Sequence, residues 1–221
     1  MAQGRDVIDS VLDMLEESRT APIFWTRTEL LTYLNDGMAE FNLMTGKFQS
    51  ERVYSLTSNT FQLVPSGIVA VLHISRNNVL IRKETLESLD RDRPTWMRYS
   101  TVSGQIEKWG PVGINIFFVY PRPAVSGTSV TLVTLDIPPA IGENTVIPLD
   151  EEYVESLTDY VFHVARFKEG GAEFRQSMSA YESFRERGSS LTRRKIAEQS
   201  TLFVKEPAAE TGGGYATSLR N

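Results

Sequence analysis

The residues able to do chemistry are few, and their spacing is poor for it. The chain of 221 residues holds two histidines, His73 and His163, and no cysteine. A metal site or a nucleophile–base pair needs ligating or proton-relaying side chains at set spacing, and neither histidine has a His or Glu at metal-ligand spacing. His73 falls in a strand-like run and His163 in a helix-like one, so both read as structural. Without thiols there is no disulfide, no thiolate and no Cys-ligated metal, a composition that fits assembly in a reducing cytoplasm. Gly46-Lys47 lacks the upstream glycine and the following Ser or Thr of a phosphate-binding loop; it reads as a helix stop. Asp90 and Asp92, interleaved with Arg91 and Arg93, lack the glycine and the distal glutamate of a calcium loop. The carboxylate pair Glu151-Glu152 sits where a helix begins, and the helix dipole accounts for it. Ser103-Gly104 and Ser126-Gly127 fit turns and have no visible triad partners. The expectation is a chain with no catalytic residue, no metal and no cofactor.

Three features point to binding instead. Arg193-Arg194-Lys195, with Arg185 and Arg187 upstream, is a basic cluster in a chain of net charge −5. It could face phosphates, but basic residues also suit a helix C-terminal end, and that reading is favoured. Trp96, Tyr99 and Trp109 bracket a Ser/Gly stretch. They either present a contact platform or, the blander option, close the end of a small β module. The third feature is the tail. Leu202, Phe203, Val204, Tyr215 and Leu219, with Arg220 beside the last, lie on a segment that also carries Pro207 and Gly212-Gly213-Gly214. Such a segment buries too little apolar surface to offset its ordering entropy, so its apolar groups suit an arm that folds onto a partner.

The elements that must position these residues show in the periodicity. The strongest helical signal runs from Ile147 to Arg187. Asp150 stands at an N-cap position with Glu151 and Glu152 in the first turn, and Leu149 and Val154 can close a hydrophobic staple. Tyr153, Leu157, Tyr160, Val161, Val164 and Ala165 recur at helical spacing; Gly170-Gly171 marks a stop; Phe174, Met178, Tyr181 and Phe184 form a second stripe expected to end before Gly188. A shorter helix follows at Leu191–Glu198. At the other end, Val7, Ile8, Val11, Leu12 and Leu15 stripe a first helix, and Pro22 breaks it. Thr26 and Glu29 form a capping box before a second helix striped by Leu30, Leu31, Leu34, Met38 and Phe41.

Between Ser50 and Ile147 the period falls to two. Strands are expected at 52–56, 60–64, 68–74, 79–81, 112–120 and 129–137, with a short helix at 84–89. The fold class is therefore α+β. A helical hairpin at 1–47 packs on a second at 148–198 as a four-helix layer; an antiparallel sandwich or small barrel at 48–147 is inserted between them; 199–221 is an extended arm. At 41% apolar residues the chain can bury such cores. No apolar run approaches the roughly 18–20 residues that span a bilayer, and MAQGRDVIDS lacks the core of a signal peptide.

The order of these pieces resembles a known family. It comprises a helix, then Trp25, Glu29, Leu30, Leu31, Tyr33, Leu34, Asn35 and Asp36 on a second helix, then a β region. Tyr120-Pro121-Arg122-Pro123, Asp136-Ile137-Pro138-Pro139 and Ile147-Pro148-Leu149-Asp150 follow, ahead of a helix pair. This is similar to the head-to-tail adaptor proteins of tailed bacteriophages, especially the tail-tubular type of short-tailed phages, over residues 5–187. The resemblance implies a non-enzymatic ring, commonly of twelve copies, between the portal protein and the tail nozzle or tube, with double-stranded DNA only as passing cargo. It implies a place at the head–tail junction of the virion and a C-terminal arm on the portal, here Leu202, Phe203, Val204, Tyr215, Leu219 and Arg220. Trp96, Tyr99 and Trp109 would then offer a tail-side contact. An acidic chain suits a channel that must not grip DNA. The alternative is a tail module that binds a glycan or host receptor through the β region.

Overall fold

The computed structural model describes residues 1–97, 102–103 and 105–202, with side chains left out at 102–103 and 194–202. Helix α1 (Gly4–Met14) carries Val7, Ile8, Val11 and Leu12 inward. Helix α2 (Arg27–Thr45) starts at Thr26, whose hydroxyl accepts from the Glu29 N–H, and ends at Gly46 in the left-handed region. Helix α4 (Glu151–Glu169) follows the β module and buries Leu157, Val161 and Ala165. These stripes meet in one cluster with Trp25, Leu30, Leu34, Met38, Phe41 and Phe184.

Asp150 does stand at the N-cap of α4, but its side chain makes no capping bond; it pairs with Lys47 at 3.3 Å. After α4 the chain turns through Gly170 at φ +70 into a short α5 (Gly171–Gln176), breaks at Ser177, and continues as α6 (Met178–Leu202). Polar pairs zip α6 and the break before it against α4 in opposite directions: Arg187 on Glu155, Ser183 on Asp159, Ser177 on His163. The descending order shows that the two helices are antiparallel.

Three expectations are corrected here. The second stripe does not stop at Gly188, because that glycine lies inside α6. Its missing side chain lets Met44 at the end of α2 sit on the helix; an added Cβ would come within 2.9 Å of the Met44 methyl. No separate helix begins at Leu191, since α6 is continuous there. Leu202, expected in an extended arm, is the last residue of α6.

The β module is a sandwich of two four-stranded sheets. One has the order β1 (Gln49–Leu56), β10 (Thr128–Asp136), β3 (Ile68–Arg76), β4 (Val79–Leu80), all antiparallel. The other has β2 (Phe61–Leu63), β8 (Ile116–Tyr120), β7 (Lys108–Pro111) and β5 (Arg82–Lys83), with only the β5–β7 pair parallel among them. Leu56, Ile74, Val130 and Leu132 from the first sheet meet Trp109, Phe117 and Val119 from the second in a shared core. Helix α3 (Leu86–Asp92) and the short parallel pair β6 (Val102–Ser103) and β9 (Arg122–Pro123) lie beside it. The run at 112–120 is not one strand. It splits into a hairpin, with Val112 N–H and Gly113 N–H both donating to Ile116 O. Pro111 has no N–H to continue a ladder, and Gly113 favours a turn.

The two cores are joined by α2 and the strap at residues 137–149. Asn42 is fully buried; its Nδ2 donates to Asp136 O at 2.8 Å and its Oδ1 accepts from Phe48 N–H at 2.9 Å. Two turns earlier, Asn35 donates to Ile141 O and accepts from Ile141 N–H. The N-terminal residues close the strap from the other side, with Gly4 N–H on Thr145 O and Arg5 N–H on Glu143 O.

Leu34 and Leu157 are both fully buried in the helical cluster. Leu34→Ala and Leu157→Ala are each expected to destabilise the fold by about 2–5 kcal/mol. Urea melts showing a loss below about 0.5 kcal/mol, the surface scale, would remove that residue from the core.

Candidate interaction surfaces

The chemistry-bearing side chains are spent on structure. His163 lies between the rings of Tyr181 and Phe174, at 4.9 and 5.0 Å. Its Nδ1 is 3.0 Å from the Ser177 hydroxyl, and burial pushes its pKa down. It holds the α5–α6 break against α4. His73 is exposed on β3. Asp90 accepts from the Trp96 indole N–H, Asp92 from Lys108, and Arg93 donates to the Tyr120 hydroxyl at 3.0 Å. The charged turn is thus a brace between α3 and the second sheet. Among the described residues there is no group of three or more His, Cys, Asp or Glu able to hold a metal. No helix among them is long and apolar enough to cross a membrane.

The expected binding residues fare differently. Trp109 is 1% exposed and Trp96 4%, so both belong to the module's interior and not to an open platform. Trp96 still forms a wall of a cavity, with Phe61, Met97 and Arg122. Tyr99, Phe203, Val204, Tyr215, Leu219 and Arg220 lie outside the described residues. In the basic cluster, Arg187 is engaged by Glu155, while Arg185 and Arg193 line a shallow groove between α6 and Met44.

Two of the exposed apolar groups sit at the tips of elements. At the β7–β8 turn, Ile114 is 86% exposed, beside exposed Val112 and Ile116. Leu63 pairs with Ile116 in register and is exposed too. At the far end of the helices, Ile23, Phe24 and Phe167 are exposed. Lys168 lies 4.8 Å over the Phe24 ring and ion-pairs with Glu29 at 2.9 Å. Periodicity finds buried stripes, and for that reason it passed over these tips. The exposed Ile in a Gly/Asn turn, Gly113-Ile114-Asn115, was the signal available.

The residues that carry the resemblance turn out to be joints. Trp25 is buried and donates to Ala165 O at 3.1 Å. Glu29 accepts from Tyr33 and Lys168. Asn35 holds the strap, and Asp136 anchors a network with Ser50, Thr134 and Arg52.

The family model described as SU10 adaptor protein matches residues 3–203. The chain belongs to that family. The match covers the helical layer, the β module and the whole of α6. It makes the protein a bacteriophage head-to-tail adaptor, placed at the head–tail junction of the virion and associated with portal and tail components. No curated protein matches the chain.

Asp136 gives this adaptor a titratable joint. Burial raises its pKa, but the Ser50 and Thr134 hydroxyls and the Arg52 charge outweigh that and hold it below the ordinary value. A depressed folded pKa contributes stability above the unfolded pKa, and that stability is lost as pH falls through the folded one. Asp136→Asn is therefore expected to flatten the loss of stability between about pH 5 and about pH 2. Equal slopes for parent and variant in denaturant melts across that range would show that Asp136 is not the group responsible.

Proposed function

We propose that copies of this adaptor close into a ring between portal and tail, twelve in the family arrangement it resembles, with the genome passing through the centre. The protein works by binding, not by catalysis. A ring needs a heterologous interface, one face of a subunit against a different face of the next. The helical layer and the sandwich supply chemically distinct faces, with apolar tips at Ile114 and at Phe24 and Phe167.

The observation that carries the portal-side reading is the length of α6. Thr192 donates to Met44 O at the end of α2, and α6 continues to Leu202, about 15 Å further at 1.5 Å per residue. It leads into the segment that holds Phe203, Val204, Tyr215, Leu219 and Arg220. The three glycines let such an arm reach a second contact. The tail-side contact falls to the β module, where the rim of the Trp96 cavity and the Ile114 turn offer open apolar groups.

Deleting residues 203–221 is expected to leave the melting temperature of the free protein nearly unchanged and to abolish attachment to the portal. Sedimentation of the truncated chain alone and with the portal of the same virus measures both. A truncated protein that still joined the portal with parental affinity would move the interface to the helical layer. A sharp drop in melting temperature would place the arm in the core.

A further inference from the structure

Arg122 is the anomaly of the β module. Its Nε is buried and has no hydrogen-bond partner. Arg27, Arg52, Arg166 and Arg187 each hold a carboxylate within 3.0 Å, yet no ion pair of Arg122 occurs among the described residues. A buried donor left unpaired is costly, more so on a charged group, and native structures rarely keep one without a use. Arg122 also lines a cavity of about 370 Å³ with Asn59, Thr60, Phe61, Trp96 and Met97. The walls are braced by side-chain contacts. The Gln62 side chain, 2% exposed, donates to Thr57 O and Asn59 O and so fixes the turn that carries Asn59 and Thr60. Trp96 is held by Asp90 and packs on Phe61 at 6.3 Å. The mouth is apolar, with Met97 63% and Phe61 38% exposed.

We infer that this cavity is a binding site for a carboxylate carried on an extended segment of another protein chain. The charge argument selects the anion, since an unpaired guanidinium is complementary to a carboxylate. Two further observations select a peptide. Phe61 and Met97 offer a neighbouring side chain an apolar seat, and Met adapts readily to varied partners. Strand β2 is the edge of its sheet. Thr60 O and Val64 N–H bond toward β8; by the alternation of an antiparallel pair, the backbone groups of Phe61 point outward, where an added strand could meet them. A sugar acid shares the anion but makes no use of the outward backbone groups of the β2 edge.

The test uses the full-length protein, labelled with nitrogen-15, and three probes: the capped tripeptide Val-Glu-Val, its Val-Gln-Val counterpart, and glucuronate. The Glu peptide is expected to shift the Trp96 indole N–H and Arg122 Nε–H signals saturably. The Gln peptide should bind about tenfold or more weakly, the scale of one charge-assisted hydrogen bond. Arg122→Gln should abolish the response while the rest of the spectrum stays dispersed. Absence of a shift with the Glu peptide, equal binding of the two peptides, or an unchanged titration in Arg122→Gln overturns the site. Glucuronate binding as tightly as the Glu peptide overturns the peptide assignment. If Arg122→Gln does not fold, the Glu and Gln peptides compared on the parent protein decide alone. None of these readings depends on ring formation.

Discussion

One buried amide holds the two halves of this protein together. Asn42 reaches Phe48, where the chain leaves the helices, and Asp136, where it returns. The two crossing segments also bond to each other, Asp136 N–H to Phe48 O at 2.8 Å. An inserted module with two crossings can pivot about them unless something fixes both at once. Only a side chain with a donor and an acceptor on one carbon can do so here. Aspartate would lack the donor and leucine both groups, and either change would strand a buried backbone partner, worth about 1–3 kcal/mol.

The remainder of the fold is arranged around that joint. The helical core and the sandwich core are separate clusters, so no continuous apolar contact orients one on the other. Apolar contacts are non-directional; hydrogen bonds set angles. Asn35 repeats the device two turns away on the strap, and Arg27 adds a charged clamp between Asp9 and Glu143. Helix α2 therefore has two jobs on two faces. Leu30, Leu34, Met38 and Phe41 bind it into the helices, while Asn35 and Asn42 bind it to the insert. For the proposed place between portal and tail, a directional joint would keep the two contact faces in one relative orientation.

This also explains what could be read from the sequence. The stripes of α1, α2 and α4, the alternation in β1, β3 and β10, and the α+β order were legible, because burial imposes period 3.6 or 2 on apolar residues. Single residues with two plausible uses were not. Gly188 has the composition of a stop and the role of a contact, and only Met44, distant in sequence, separates the two. Pro111 and Gly113 divided a run that alternation alone would join. Trp96 and Trp109 are as suited to a core as to a surface, and the opposite sheet claims Trp109. Asn35 and Asn42 went unread as joints because a polar residue on a helix gives no periodic signal of the backbone it will meet. Arg122 was visible only as part of a motif. Its lack of a partner is a three-dimensional fact.

The same geometry bears on the proposed passage of DNA through a ring of adaptors. Net charge alone is a weak argument, since a local basic face can bind phosphate on an acidic protein. What matters is how many bases are free to release counterions on meeting a phosphate. Here Arg19, Arg27, Lys47, Arg52, Lys108, Arg166, Lys168 and Arg187 each already face a carboxylate. A base in such a pair must give up its carboxylate before it can hold a phosphate, and the freed carboxylate then repels the same strand. Internal pairing therefore lowers the grip on DNA more than the overall charge of −5 implies. It does so without weakening the joint, because Arg27 and Arg52 belong to the clamps that set the module's position.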